Sequence, residues 1–300
     1  MFKQRLISGS SAAVLVFVSL FWYGRVGAVI FAALSIGLIA VAVGEFNRLL
    51  ERFGRQGMPR VSRFFGILMV GVIVVPVSLG PVVERSHGMA GWYAPELLLG
   101  LLFLATTFVW AMRRPNLRDS MIELPFAWAS LIVVYGMLGF IPKLYYSSGL
   151  AAEGRWVVFF MLAVTKAGDI GAYTVGTITS KRPEGNHKMA PVLSPHKSWE
   201  GFAGGVATSV CLALLLIACF GGALTFQGRT AVGPASAILL GLLFSGLGSF
   251  GDLAESALKR AAGVKDSGAL PGLGGVLDMT DSLLFVAPVF YLYLWFRTGM

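Results

Sequence analysis

The segment from residue 251 to residue 282 concentrates acidic and basic side chains in a chain that is poor in them overall. Asp252 and Lys259 are spaced so that they share one face of a helix. Asp278 and Asp281 follow, one helical turn apart, where the final apolar run opens. Carboxylates at this spacing are good ligands for a hard divalent cation, which prefers oxygen atoms and often bridges to phosphates. The segment therefore predicts a site for Mg²⁺ and phosphate.

The stretch between these two pairs is rich in glycine and also carries basic residues. Its backbone N–H groups could bind phosphate oxygens, and Glu255 or Ser256 would join the polar face of the preceding helix. The alternative is a glycine-rich turn with solvated charges. Lysines, glycines and paired aspartates within one short segment favour the phosphate site.

A second polar group interrupts an apolar run further upstream. Lys166, Asp169 and Tyr173 follow at positions i, i+3 and i+7, so they lie on one face of a helix. They could be a self-neutralising ion pair that keeps the helix soluble in lipid. Charges at membrane depth are costly, however, and usually mark a substrate or ion path. We therefore expect this face to line the functional cavity.

A third candidate is the polar loop from residue 185 to residue 201, in which two prolines prevent a helix. Ser198 is a candidate N-cap for the next apolar helix, and the positive end of a helix binds phosphate readily. Lys188 and Lys197 supply compensating charge. The alternative is an ordinary positively charged loop. Its two histidines have no accompanying His or Cys cluster that would predict a metal site.

The composition shows what must position these residues. The 300-residue chain is 56% hydrophobic and 13% charged, with a mean hydropathy of +0.76, whereas soluble domains have about a quarter charged residues. Apolar runs long enough to cross a bilayer recur throughout, and the first is expected to be a retained span. We predict an all-α polytopic integral membrane protein with nine transmembrane helices, at 8–23, 26–43, 64–82, 95–112, 121–142, 156–178, 201–221, 232–250 and 279–297.

The distribution of basic residues predicts the orientation. With the N-terminus in the cytoplasm, seventeen of the 24 Lys and Arg residues fall in inner segments and six in outer ones. The net charge of +9 is then explained by topology and by attraction to anionic lipid headgroups. No soluble basic face interleaved with aromatic residues is present, so nucleic acid is not an expected partner.

The two halves of the chain differ in character. Up to about residue 150 the predicted spans are plain, whereas polar and charged residues appear inside or beside the later spans. We expect 1–150 to be a transmembrane scaffold that could carry homodimer contacts, and 151–300 to be the catalytic region.

The polar motifs described above resemble those of the phosphatidate cytidylyltransferase (CDP-diacylglycerol synthase) family, and the resemblance extends over most of the chain. The last motif carries the resemblance through Ser256, Lys259, Arg260, Lys265, Asp266, Pro271, Gly272, Gly274, Gly275, Asp278 and Asp281. The stretches 169–173, 194–201 and 44–46 also look like that family. The chain departs from the family pattern at Gly168, Leu273 and Met279 and in a glycine loop that is one residue shorter, but no candidate metal ligand is lost.

The resemblance implies transfer of a cytidylyl group from CTP to phosphatidic acid in a bacterial-type inner membrane, at a site on the cytoplasmic side. It implies Mg²⁺ as cofactor, with a second, monovalent cation as a further candidate. The implied metal ligands are Asp252, Asp278 and Asp281, and the implied catalytic residues are these three with Lys259, Arg260, Lys265 and Asp266. The implied substrate-binding residues are Asp169, Tyr173, Lys188, Ser194, Lys197, Ser198, Ser256, Gly274 and Gly275.

Two other functions stay open on the sequence. A CTP-dependent kinase of a membrane alcohol would share much of this constellation. An ion-coupled transporter could use Lys166 and Asp169 as an ion path, although broken spans in both halves of the chain would then be expected. A CDP-alcohol phosphotransferase is disfavoured, because no helix carries recurrent aspartates at four-residue spacing.

The orientation can be tested by labelling single cysteines in a variant without the two native cysteines. We expect cytoplasmic labelling at positions 55, 118, 182 and 265 and labelling from the opposite side at positions 85 and 229, because the inner segments carry most of the basic residues. Labelling of positions 182 and 265 from opposite faces would contradict a single active site that uses both loops.

Overall fold

The computed structural model of the chain describes residues 2–22, 24–54, 58–79, 90–146, 151–226, 228–268, 270 and 274–298. Most of these residues are helical. In the first half, the helices are α1 (Phe2–Phe21), α2 (Arg25–Arg52), α3 (Pro59–Leu79), α4 (Ala90–Met112), α5 (Leu117–Ser130), a π-helical turn (Leu131–Tyr135), α6 (Gly136–Leu138) and α7 (Phe140–Tyr146). A helix satisfies its own backbone hydrogen bonds, as a chain in lipid requires.

The second half alternates long helices with two short hairpins. Its elements are α8 (Ala151–Thr179), β1 (Lys188–Ala190), β2 (Ser194–Ser198), α9 (Trp199–Phe220), a 3₁₀ turn (Gly221–Ala223), β3 (Thr225–Phe226), β4 (Arg229–Thr230), α10 (Pro234–Ala261), α11 (Val276–Thr280) and α12 (Leu283–Thr298). Strands β1 and β2 pair antiparallel, as do β3 and β4. The hairpins were not anticipated, because their strands are too short to show a periodic pattern.

Among the described residues, six helices are long and apolar enough to cross a membrane. They are Arg25–Arg52, Ala94–Met112, Leu117–Tyr146, Glu153–Thr179, Trp199–Ala223 and Pro234–Ala261, and Gly9–Phe21 and Leu283–Thr298 are shorter apolar helices. The prediction of an all-α integral membrane protein is confirmed. The number of nine spans and the cytoplasmic N-terminus stay predictions.

The final helix begins later than the sequence predicted. The span at 279–297 was expected to open with Asp278 and Asp281 on one helix. Instead, the short helix α11 ends at Thr280, a turn follows, and α12 starts at Leu283. Asp278 therefore lies on α11 and Asp281 in the turn, so the expectation that both lie on one helix was wrong.

The chain divides into two compact units, and each unit is built from more than one stretch of the sequence. One unit comprises residues 1–149 with 261–279 and residue 300, and the other comprises 150–260 with 280–299. The glycine-rich stretch thus belongs with the N-terminal helices. The roles assigned to 1–150 and 151–300 stay predictions.

Buried aromatic and ionic contacts hold the first unit together. The Phe31 ring stacks on Tyr145 with 4.1 Å between centroids, and the Tyr146 hydroxyl donates to the carbonyl of Ala28 at 2.6 Å. Lys143 pairs with Glu96 at 2.6 Å, with both side chains at most one-tenth exposed. These contacts join α7 to α2 and α4.

Small residues let α8 and α9 pack closely in the second unit. A Cβ atom on Gly171 would collide with the side chain of Thr208, and one on Gly205 would lie 2.8 Å from the carbonyl oxygen of Gly168. Membrane helices pack through such small residues, because lipid supplies no hydrophobic drive for their association. This contact fixes the helix that carries Asp169.

Replacing Gly171 with leucine should therefore separate the two helices. We expect the stability of the Gly171→Leu variant in detergent to fall by about 1–3 kcal/mol, as overpacking does in other cores, measured by reversible denaturant unfolding. Gly37→Leu is the matched control, because a Cβ at Gly37 would meet nothing within 4 Å. Equal stability of the two variants would contradict the close packing.

Candidate functional site

Three carboxylates converge in the second unit. Asp252 and Glu255 lie on α10 and Asp281 lies in the turn before α12, and one ligand oxygen from each lies within 4.8 Å of the others. The approach is close because Gly251 has no side chain, and a Cβ there would collide with the carbonyl oxygen of Asp281. Three oxygen donors at this separation suit a hard divalent cation.

Two lysines compensate part of this negative charge. The Lys197 ammonium lies 2.8 Å from Asp252 Oδ2 and donates to the carbonyl of Ser249 at 2.9 Å. Lys259 pairs with Glu255 at 2.5 Å, and Glu255 is only 2% exposed. A buried carboxylate requires such a partner, since taking a charge out of water costs several kcal/mol. The cluster therefore contains both carboxylates and cations that could bind phosphate.

A polar network on α8 continues from this cluster. The Lys166 ammonium donates to Ser282 Oγ at 2.8 Å and to Asp169 Oδ2 at 3.1 Å, while the Ser282 hydroxyl donates to Asp169 at 3.2 Å. The backbone N–H of Ser282 donates to Asp281 Oδ1 at 2.6 Å. The Lys166–Asp169 pair is thus joined to the carboxylate cluster through Ser282. Its catalytic role stays a prediction.

The β1–β2 hairpin and the start of α9 form a third part of the second unit. Ser198 caps α9 by accepting a hydrogen bond from the N–H of Gly201 at 3.1 Å, so the predicted cap is confirmed. Glu200 accepts the N–H of His187 and lies 2.6 Å from its Nδ1. These contacts hold the hairpin against the start of the helix that follows it.

The other predicted substrate-binding residues of the second unit are placed as follows. Lys188 is exposed on β1, and Ser194 pairs with Ala190 across the hairpin. Tyr173 is 76% exposed. Ser256 Oγ lies 3.5 Å from Asp252 Oδ1, and Arg260 is exposed near the end of α10. Their substrate contacts stay predictions.

The glycine-rich part of the motif lies in the first unit. Asp278 Oδ2 accepts hydrogen bonds from the N–H and hydroxyl of Ser267, at 2.8 and 2.7 Å, and from the N–H of Gly275 at 2.7 Å. Gly274 adopts a φ of 79°, which favours glycine. The N–H of Gly275 thus binds a carboxylate of its own loop. The role of Asp278 as a metal ligand stays a prediction.

The remaining motif residues of this loop are Lys265 and Asp266, which are exposed. Pro271, Gly272 and Leu273 lie outside the described residues.

The sequence reasoning missed four polar residues that the structure brings into these networks. Glu255 was noted on the acidic face but not as a ligand, and Ser282 was not considered. Glu45 was quoted only as part of a resemblance, and Ser267 was overlooked, yet both are buried and joined by a hydrogen bond. An acidic residue inside an apolar helix was the available signal for Glu45, since such residues are rarely without function.

Comparisons with known proteins show which family this sequence matches. The sequence model of the cytidylyltransferase family matches residues 3–297. The phosphatidate cytidylyltransferase of Haemophilus influenzae is 30% identical over 315 aligned residues, covering 99% of this chain and 99% of that protein. That of Bacillus subtilis is 30% identical over 97% of both chains. That of Mycobacterium bovis is 38% identical over 52% of this chain and 44% of its own.

The Lys166–Asp169 pair gives a test that separates a structural from a catalytic role. A purely structural ion pair can often be replaced by apolar residues at no cost. We expect the Lys166→Leu/Asp169→Leu variant to fold but to be inactive, and Asp169→Asn alone to lower turnover by about tenfold or more. The measurement is transfer of label from CTP to phosphatidic acid by purified protein.

Thr174→Val is the control for this experiment. Thr174 lies on the same helix, and its hydroxyl donates to the carbonyl of Ile170 within that helix. We expect normal activity in this variant. Full activity in the apolar double variant would return Lys166 and Asp169 to a structural role.

Proposed function

We propose, since this chain belongs to the cytidylyltransferase family, that it transfers the cytidylyl group of CTP to phosphatidic acid and releases pyrophosphate. It is a nucleotidyltransferase of phospholipid biosynthesis, as its relatives of nearly equal length are. The product is CDP-diacylglycerol. The observation that carries the residue assignment is the convergence of Asp252, Glu255 and Asp281 beside two lysines.

The carboxylate cluster supports a divalent metal as cofactor. Asp252 and Asp281, which the sequence predicted as ligands, would hold Mg²⁺ together with Glu255, because their oxygens already lie within 4.8 Å of one another. Asp278 stays in the proposed ligand set until it is tested. Bound Mg²⁺ would supply a positive charge that neutralises phosphate oxygens.

The lysines support binding of two anionic substrates at one place. In the reaction, a phosphate oxygen of the lipid attacks the α-phosphorus of CTP, and the bond to the β-phosphate breaks. Both substrates are anions, so their repulsion must be compensated. Lys197 and Lys259 lie beside the carboxylates, and Lys166 is joined to them through Ser282. We assign these three ammonium groups to substrate phosphates and to the departing pyrophosphate.

The membrane location fits a lipid substrate. Phosphatidic acid stays anchored in the bilayer by its acyl chains, so a transferase that acts on it needs a site at the level of the headgroups. The apolar runs support nine spans, and the bias of basic residues supports a cytoplasmic N-terminus and a site that opens to the cytoplasm, where CTP is found. The same bias would attract an anionic lipid.

The position of the label in CTP distinguishes transfer from phosphorylation. We expect label at the α-phosphate to enter organic-extractable lipid only when phosphatidic acid is added, and label at the γ-phosphate to appear in pyrophosphate. A CTP-dependent kinase would give the opposite pattern, with γ-label in the lipid. Absence of both products with the purified protein would contradict the proposal.

The carboxylates can be tested individually. We expect Asp252→Asn, Asp281→Asn and Asp278→Asn each to lower turnover by about 100-fold or more, as loss of one electrostatic stabiliser does in other enzymes. Turnover is measured across a Mg²⁺ titration, on protein that inserts and purifies normally. Glu184→Gln makes the same charge change at an exposed loop position and should be active.

The pattern among the variants identifies the ligands. Wild-type turnover of Asp281→Asn at limiting Mg²⁺ would exclude the proposed metal site. Wild-type turnover of Asp278→Asn alone would restrict the ligands to Asp252, Glu255 and Asp281.

A further inference from the structure

Glu45 is a buried acid that the proposed reaction does not use. It lies on α2, among apolar residues, and is 2% exposed. Its Oε2 accepts a hydrogen bond from the N–H of Leu277 at 2.9 Å and lies 3.2 Å from the hydroxyl oxygen of Ser267. Arg48 lies 3.9 Å away and is largely exposed. Most of the stabilising contacts of this carboxylate therefore come from the glycine-rich segment, which follows it by more than 200 residues along the chain.

Two glycines of that segment lie directly against the Glu45 carboxylate. A Cβ on Gly268 would collide with Glu45 Oε1, and one on Gly275 would lie 2.5 Å from Glu45 Oε2. The two glycines therefore allow the backbone to close around the carboxylate of α2. The space that the Glu45 carboxylate occupies therefore explains why residue 275 is a glycine. No contact between Gly275 and a substrate phosphate is needed for this explanation.

Ser267 connects Glu45 to Asp278. Its hydroxyl lies 3.2 Å from Glu45 Oε2 and 2.7 Å from Asp278 Oδ2. Asp278 also binds the N–H groups of Ser267 and Gly275. One carboxylate from α2 and one from α11 thus hold both ends of the loop, and they share a single hydroxyl group.

We propose that Glu45 is a positioning residue for substrate phosphate, which acts by fixing residues 265–268 and 274–278, two described parts of the glycine-rich loop. This inference rests on the proposed function. Glu45 is buried and so does not touch substrate. Lys265 and Asp266 are exposed on the loop that it anchors, immediately before Ser267, so their orientation depends on that anchor. The nucleotide is the assigned ligand of the loop, because CTP has three phosphates to be held.

The first measurement tests the geometry by hydrogen exchange. In Glu45→Gln the acceptor of the Leu277 N–H loses its charge, and hydrogen bonds to charged groups are the stronger ones. We expect exchange of the peptide that contains Leu277 to accelerate by about tenfold or more. Ser267→Ala removes only the shared hydroxyl and serves as the second variant, should Glu45→Gln fail to fold. Unchanged exchange in a folded variant would overturn the proposal.

The second measurement separates positioning from a merely structural role. In both variants we expect the KM for CTP to rise by about tenfold or more, with a smaller change in kcat, and a weaker Kd for Mg²⁺-CTP. The KM for phosphatidic acid should stay constant. If the lipid KM rises instead, the loop positions the lipid phosphate, and the positioning role still holds. If only the yield or melting temperature falls and both KM values stay constant, the role is structural and the proposal is overturned.

Two controls complete the design. Ser35→Ala removes another buried polar group of α2, whose hydroxyl donates only within its own helix to Phe31, and should change neither KM. The double variant Glu45→Gln/Ser267→Ala should be no worse than the more damaged single variant, because both changes break one chain of contacts. A wild-type protein without transferase activity would refute the proposed function, while the exchange and Kd measurements would still decide the role of Glu45.

Discussion

The central physical constraint on this protein is the cost of keeping carboxylates in an apolar chain. Transferring one charge out of water costs several kcal/mol, so each buried acid must find a cation or several N–H and O–H donors. The buried Glu255 pairs with Lys259, and the buried Glu45 accepts from the backbone of a glycine-rich loop, while the partly exposed Asp169 pairs with Lys166 and Ser282. The Glu255–Lys259 pair lies within α10, whereas the contacts of Glu45 with Leu277 and of Asp169 with Ser282 each join two distant segments of the chain. The acids therefore organise the structure at the same positions where they could perform chemistry.

Small residues make these partnerships geometrically possible. Gly171 and Gly205 allow α8 to approach α9, Gly251 allows α10 to reach the turn at Asp281, and Gly268 allows a backbone segment to close around Glu45. At each position a Cβ atom would meet another group too closely. A glycine in this chain is thus often a contact between segments and not a flexible point, which is a usual strategy in membranes, where lipid competes for every apolar surface.

The long motif near the C-terminus has two distinct structural roles. Asp252, Glu255 and Asp281 belong to the unit built on α8, α9, α10 and α12, and their carboxylates converge. Ser267, Gly275 and Asp278 belong to the unit built on the N-terminal helices. There Asp278 accepts hydrogen bonds from both Ser267 and Gly275. Residues that read as one signature in sequence are therefore divided between a candidate metal site and a loop anchored to α2.

The sequence by itself determined the class of the protein, its family, and most helices, because apolar runs in lipid can only satisfy their backbone as helices. It also predicted the Ser198 cap, which depends on local spacing and is confirmed, whereas the resemblance pointed to Asp252 and Asp281 as metal ligands, a role that stays a prediction. The start of the last helix was predicted wrongly. The helix is broken after Thr280, where the backbone of Asp281 packs against Gly251, and a contact between segments so far apart has no signal in the local sequence. Only the tertiary structure joined Ser282 to Lys166, added Glu255 to the cluster, and brought Glu45 to Ser267 and Leu277. Those pairings link residues far apart in the chain, and the distance between such residues is set by helix packing, which sequence spacing does not encode.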